Sequence, residues 1–477
     1  MFKKCSLLGG LITHLGVDCY EFILMRNNKA VPEPVSFQVL KLHLKLMCLR
    51  GNIKTMLAQL KDRFEKFDNP FLKNIGWMGI SGAIIRIFRL ITTVGLARFL
   101  SPYDFGLAAI VLTTNEFVQV FSRNGIGAKL IQADEKDIEE LSQSAYWLGW
   151  LVFISLFFLQ CLAAFPIAWV YHDNKIILPI CLMATTFLLI PFADVQCALI
   201  QRENRIKVIA LSDTLQITID NLLSLALAFG GLGMWAIVLP KVLVTPIWVY
   251  IMLRNHSWRP RGSFTTEYWE ALLDFGRNVL GIELLTTLRS NLDYLIVGRF
   301  LGLQELGVYY FAFNAGLGIS SGVINSINVA LLPHLCAVRS DLSQLWERYR
   351  SSLKTIALTI IPLVLVQSSL APFYVPIVFG QKWVGVIPVL VLICLSAIPR
   401  PFADATSQLL LSVDRARLDL RWNLLFTGVF TFSLLIGVQW QSLGVAIAVL
   451  ATHAVLMPLF VIWGTRYVFT RLQLQQA

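Results

Sequence analysis

The sequence predicts an all-α integral membrane protein: about twelve transmembrane helices in two six-helix bundles, related by a pseudo-twofold axis along the membrane normal. Three observations carry that expectation. Hydrophobic residues make up 56% of the 477, charged residues only 14%, and the mean hydropathy is +0.66, outside the range of soluble domains. Twelve runs approach the roughly 20 mostly apolar residues that a spanning helix needs. The chain also repeats itself in the same order about two hundred residues apart.

The runs fall at 75–97, 105–123, 145–170, 176–198, 208–229 and 232–253, then at 275–298, 306–333, 353–373, 384–408, 418–439 and 442–465. The repeat ties the second six to the first. Arg98-Phe99-Leu100 leads to Asp104-Phe105-Gly106-Leu107, and Arg299-Phe300-Leu301 leads to Glu305-Leu306-Gly307-Val308, at an offset of 201. Pro191-Phe192-Ala193-Asp194 returns unchanged as Pro401-Phe402-Ala403-Asp404, at an offset of 210. Membrane helices use Arg, Asp and Pro sparingly, so the echo points to a duplicated unit. Six helices per unit is an even number, hence parallel lobes and not inverted ones.

Orientation follows from the short loops. Those after even-numbered helices carry sixteen basic residues, among them Arg202, Arg205 and Arg254, whereas the alternate loops hold only Arg98, Lys175, Arg299 and Lys382. The positive-inside rule then puts both termini in the cytoplasm and explains much of the net charge of +11 without nucleic acid. The expected organisation is a cytoplasmic N-terminal extension, 1–70, poorly ordered or lying as a helix on the membrane; an N-lobe, 71–254; a polar, basic cytoplasmic linker, 255–272; and a C-lobe, 273–477.

The eight cysteines form no Cys-x-x-Cys pair and the six histidines show no metal spacing, so no metal is expected. Neither a Gly-x-x-x-x-Gly-Lys-[Ser/Thr] nor a Gly-x-Gly-x-x-Gly motif occurs. No nucleotide or other cofactor is therefore expected, and the energy for transport would come from a gradient, the membrane potential or the substrate.

Chemistry rests on charges inside the helices, each costing about 2.5–3.5 kcal/mol on insertion scales. The first helix carries Arg86 and Arg89, and the seventh carries Glu283, Arg289 and Asp293. Glu116 lies in the second, Asp213 and Asp220 in the fifth, Lys241 in the sixth, and Asp194 and Asp404 in the repeated segments. Some of these charges are expected to neutralise one another, Glu283 with Arg289 or Asp220 with Lys241. Arg86, Arg89 and Arg289, from the first helix of each lobe, could face one cavity, where guanidinium forks suit phosphate oxygens. Asp213 and Asp220 could instead take a coupling cation or proton. Prolines within the spans allow the kinks that alternating access requires.

Ala97-Arg98-Phe99-Leu100-Ser101-Pro102-Tyr103-Asp104-Phe105-Gly106, with Phe121-Ser122-Arg123-Asn124-Gly125-Ile126, resembles the N-terminal signature of the polysaccharide transporter family. These are the oligosaccharide or O-antigen flippases of the multidrug/oligosaccharidyl-lipid/polysaccharide exporter superfamily. Ala198-Leu199-Ile200-Gln201-Arg202-Glu203-Asn204-Arg205 and the stretch from Asn291 to Tyr310 resemble later parts of the same pattern. The similarity covers about 70–470 but does not specify a sugar, and Ser412-Val413-Asp414-Arg415-Ala416-Arg417 departs from the repeat.

The resemblance implies a non-enzymatic flippase of the bacterial inner membrane, with a basic cavity for a diphosphate. It would carry a polyprenyl-diphosphate-linked oligosaccharide to the outer leaflet for capsule, exopolysaccharide or O-antigen assembly. Its partners would be the lipid-linked oligosaccharide, membrane lipids and the polysaccharide polymerase machinery. The alternative is a cation-coupled multidrug exporter of the same superfamily. A membrane polymerase or acyltransferase would need a sizeable extracytoplasmic loop or clustered His/Asp chemistry, and the sequence has neither.

Overall fold

The computed structural model describes residues 70–122, 126–261, 264–339 and 341–471. The expectations for residues 1–69 lie outside the described residues. Among the described residues all regular structure is helical. The first half of the chain forms α1 (Pro70–Phe99), α2 (Pro102–Val120), short α3 (Ile126–Gln132), α4 (Ile138–Tyr171), α5 (Ile177–Ala184), α6 (Thr186–Leu189), α7 (Asp194–Arg202), α8 (Ile206–Phe229) and α9 (Trp235–Asn255). The second half forms α10 (Trp269–Leu301), α11 (Leu303–Cys336), α12 (Leu342–Tyr374), α13 (Ile387–Ser396), α14 (Arg400–Ser412), α15 (Ala416–Gly437) and α16 (Gln441–Arg466).

Local chemistry sets the boundaries. Ser101 and Asp104 close a capping box over the start of α2, with the Ser101 amide 3.0 Å from Asp104 Oδ2 and the Asp104 amide 3.2 Å from Ser101 Oγ. Pro102, lacking an amide hydrogen, takes the first helical position. The α10–α11 corner turns on Gly302, at φ 87°, a left-handed conformation that costs glycine little.

The fourth and tenth sequence spans are broken helices. Between α6 and α7 the chain tightens into a 3₁₀ turn, Ile190–Phe192, and between α13 and α14 it leaves the helix at residues 397–399. The first break falls within the repeated Pro-Phe-Ala-Asp segment and the second immediately before it. Pro191 and Pro401 cannot donate to the helix ladder and clash with the preceding turn, so duplication carried the break into both halves.

Six helical segments among the described residues are long and apolar enough to cross a membrane, including Ile138–Tyr171 and Leu342–Phe379. Their outward faces carry large apolar side chains. Trp169 is 76% exposed and Leu358 79%, which suits lipid and not water.

Contact between the halves runs chiefly through α2, which lies along α11 and also against α10, with Gly106 facing Gly307. Next to this crossing is an aromatic core. Phe311 stacks on Trp383 at 3.8 Å, Phe105 meets Trp383 edge-on at 5.5 Å, and Phe379 meets Phe311 at 5.1 Å. Offset and edge-to-face contacts of this kind add to simple burial. Near the start of α4, the segment leading into α10 is tied down: the Arg261 amide donates to Gln143 Oε1 (3.1 Å), and Trp269 Nε1 to the Ser144 carbonyl (3.3 Å).

Candidate functional site

The end of the molecule where α1 gives way to α2 is clasped by the turn after α12. Arg98 donates from Nη2 to the Ile377 carbonyl (2.7 Å) and from Nε to that of Val378 (3.0 Å). In return Lys382 donates to the carbonyls of Leu100 (2.7 Å) and Arg98 (3.1 Å), and Trp383 Nε1 to that of Ala97 (2.7 Å). The acceptors are available because both strips are helix ends. The last carbonyls of α1 lack intrahelical donors, and Val375–Phe379 is a π-helical turn holding Pro376.

Deeper in the seam the contacts become polar. Asn291 of α10 donates to Glu116 Oε2 of α2 at 3.0 Å, and Thr113 lies 3.5 Å from Asn291 Oδ1. Tyr310 of α11 is within electrostatic reach of both Glu116 and Arg89. One turn on, half-buried Phe313 carries the Arg400 guanidinium over its ring at 5.7 Å, and neighbouring Asn314 is exposed. Residues three and four apart share a helix face, so Tyr310, Phe313 and Asn314 form one strip, with Arg89 towards the first half and Arg400 towards the second.

Behind the strip the second half holds a polar network. Arg289 donates to Asn423 Oδ1. Asn423 donates to Asp419 Oδ2 (3.0 Å), and Ser407 to Asp419 Oδ1 (2.6 Å). Asp404, Asp419 and Arg400 are all within electrostatic reach of Arg289. Buried Asp293 accepts from the Tyr309 hydroxyl (2.8 Å) and the Tyr294 amide (2.9 Å).

The sequence-derived candidates are therefore distributed, not gathered into one ring. Arg86 and Arg89 are exposed on α1, and among the described residues no hydrogen bond or ion pair joins either to Arg289. Arg289 turns into the second half, towards Asn423 and the Asp404 of the repeated segment. Glu283 is half-buried on α10. Asp220 and Lys241 pair at 3.3 Å, the neutralising contact expected between the fifth and sixth spans. Asp213 sits two turns before Asp220 on α8, half-buried.

Sequence reasoning missed Arg400, Asp419, Asn423, Asn291 and Tyr310. Arg400 had a signal. It immediately precedes the second Pro-Phe-Ala-Asp, where the first copy has Ile190, so a charge was placed at a helix break by departure from the repeat. The others become visible only when helices distant in the sequence are packed.

The sequence matches the polysaccharide biosynthesis protein family over residues 95–388. It is 25% identical over 403 residues to the teichuronic acid biosynthesis protein TuaB of Bacillus subtilis (strain 168), covering 82% of this chain and 81% of that protein. It is 25% identical over 388 residues to the lipopolysaccharide biosynthesis protein WzxC of Escherichia coli (strain K12), covering 80% and 77%. The structure is similar to that of the lipid II flippase MurJ in an inward closed conformation, with a TM-score of 0.65 and 12% identity over 82% of this chain and 87% of that one. At that identity the likeness speaks for the fold alone.

Proposed function

Because the chain belongs to the polysaccharide biosynthesis protein family, we propose that it flips a polyprenyl-diphosphate-linked oligosaccharide from the cytoplasmic to the outer leaflet of a bacterial inner membrane, by alternating access, for surface polysaccharide assembly. The proposed architecture is twelve spanning helices in two lobes, 71–254 and 273–477, joined by the cytoplasmic linker 255–272. Two features support it: the facing pair Gly106 and Gly307, one repeat apart, and the matching helix breaks at Pro191 and Pro401. With both termini cytoplasmic, the Arg98–Lys382 clasp lies on the outer side, and the described conformation has that side closed.

The observation that carries the substrate class is the set of cations around the α11 strip, Arg89 towards the first half and Arg289 with its network behind the strip in the second. Guanidinium groups at membrane depth are costly unless an anion meets them, and their planar forks match phosphate oxygens. Energetics favour the proposed direction. A charge crossing 100 mV is worth about 2.3 kcal/mol, so an uncompensated diphosphate with two negative charges gains roughly 4–5 kcal/mol on leaving an inside-negative cell. An inward cation through Asp213 or Asp220 would add to this drive but is not required. The polymerase machinery would take the cargo from the outer leaflet.

Complementation tests the reading. A strain lacking its own oligosaccharide flippase receives Arg86, Arg89 and Arg289 each changed to Ala and to Lys. Export should fall strongly in the Ala variants and partly recover with Lys. Full export in every variant at normal protein levels overturns the cationic path. Loss of drug resistance on deletion, with surface polysaccharide intact, would make the chain a drug exporter instead.

A further inference from the structure

We infer that Arg400 binds the cargo's diphosphate together with Arg289, an assignment that rests on the flippase reading above. Among the described residues the Arg400 guanidinium makes no hydrogen bond and no ion pair. Its Nε is buried without a partner, and the guanidinium lies over the face of Phe313 at 5.7 Å. An arginine offers five donors in a fixed fork and is never discharged. In an apolar span such a group demands acceptors, and a ring face satisfies only part of its field.

Two of the acids close by are committed elsewhere. Asp293, within electrostatic reach of Arg400, has one oxygen on the Tyr309 hydroxyl at 2.8 Å and the other on the Tyr294 amide at 2.9 Å. Asp419 is held on both oxygens by Ser407 and Asn423. Arg400 thus keeps its donors unused while its ring partner Phe313 borders the strip facing Arg89. Arg289 and Arg400 lie within electrostatic reach of each other, and two guanidiniums brought together without a shared acceptor repel. A diphosphate, with oxygens on two phosphorus atoms, gives each fork its own anion. Asp404 and Asp419, within electrostatic reach of Arg289, then serve release: they stabilise that cation once the cargo has left, so binding is not an irreversible capture.

The full-length protein in detergent is titrated with farnesyl diphosphate, farnesyl monophosphate and farnesol, and affinity is read by native mass spectrometry. Wild type should prefer the diphosphate to the monophosphate, and farnesol should bind weakly. Arg400→Gln should weaken diphosphate binding at least tenfold and leave farnesol binding unchanged. Arg400→Lys keeps the charge and the stem, and serves if the Gln variant fails to fold. It should still lose severalfold, because an ammonium cannot form the fork. Diphosphate affinity equal to wild type in the Lys variant, or in a folded Gln variant, overturns the role of Arg400, while a loss confined to Arg289→Gln leaves the flippase reading standing. A wild-type protein that binds farnesol as well as the diphosphate overturns the parent reading and this assignment with it.

Discussion

Gly106 and Gly307, counterparts in the repeat, meet face to face. A β-carbon on Gly106 would collide with the Leu303 carbonyl, and one on Gly307 with that of Pro102; the latter would also stand 2.9 Å from the Gly106 amide nitrogen. Each helix start lies against the other because neither partner has a side chain at the crossing. Close backbone approach through small residues is how helices associate within lipid, where burial from water gives no drive.

Gly307→Val should therefore force this end apart. Overpacking of a tight contact costs about 1–3 kcal/mol, and here the obstructing atoms are backbone, which cannot step aside. Spin labels at exposed positions Phe99 and Val384, in a background without other cysteines, should show a longer and broader separation than without the valine. Gly106→Val should do the same. An unchanged distance distribution in both variants would mean the glycines do not set the closure.

The Arg98–Lys382 clasp should act as a latch of modest strength. Both side chains are solvent-facing at the molecule's end, so removing either is expected to cost about 1 kcal/mol, enough to shift a closed-to-open ratio severalfold. A cysteine at Ala97, fully buried beneath Trp383, should resist a membrane-impermeant maleimide. In Arg98→Ala/Lys382→Ala it should label several times faster. Equal labelling rates would remove the latch.

Part of this closure was legible in the sequence: the repeated glycines meet, and the first Arg-Phe-Leu copy supplies the arginine of the clasp. The Pro-Phe-Ala-Asp copies were legible as a duplication, and their prolines as kinks; that both mark complete helix breaks required the fold. The polar network was not legible. Arg289 and Asn423 are 134 residues apart, on helices whose relative rotation depends on packing that no local pattern encodes. Arg289 was found because a charge in an apolar run stands out, whereas Arg400 sits between two prolines and reads as part of a kink.

The Asp220–Lys241 pair is expected to be structural. With the Lys side chain 36% exposed and that of Asp 17%, neither charge is fully sequestered, but each single neutralisation leaves the other without its partner at membrane depth. Asp220→Asn and Lys241→Gln should each lower protein yield and melting temperature. The charge swap Asp220→Lys/Lys241→Asp should restore both, with export normal at matched protein levels. A swap that is stable but cannot export would give the pair a part in transport.

Asp419 should govern how readily the cargo leaves. Its carboxylate, gripped by Ser407 and Asn423, lies within electrostatic reach of Arg289 and so competes with any phosphate for that cation. Asp419→Asn keeps the shape and a Ser407 acceptor but removes the charge. Losing a competing anion within electrostatic reach is worth about 1 kcal/mol, or roughly fivefold in affinity. The variant should hold farnesyl diphosphate more tightly than wild type yet export surface polysaccharide more slowly, because opening of the outer side no longer offers Arg289 a replacement. Asn423→Ala, which removes the direct acceptor of Arg289, should shift binding the same way. Tighter binding with unchanged export would mean that release is not limiting; weaker binding would mean that Asp419 positions Arg289 and does not compete for it.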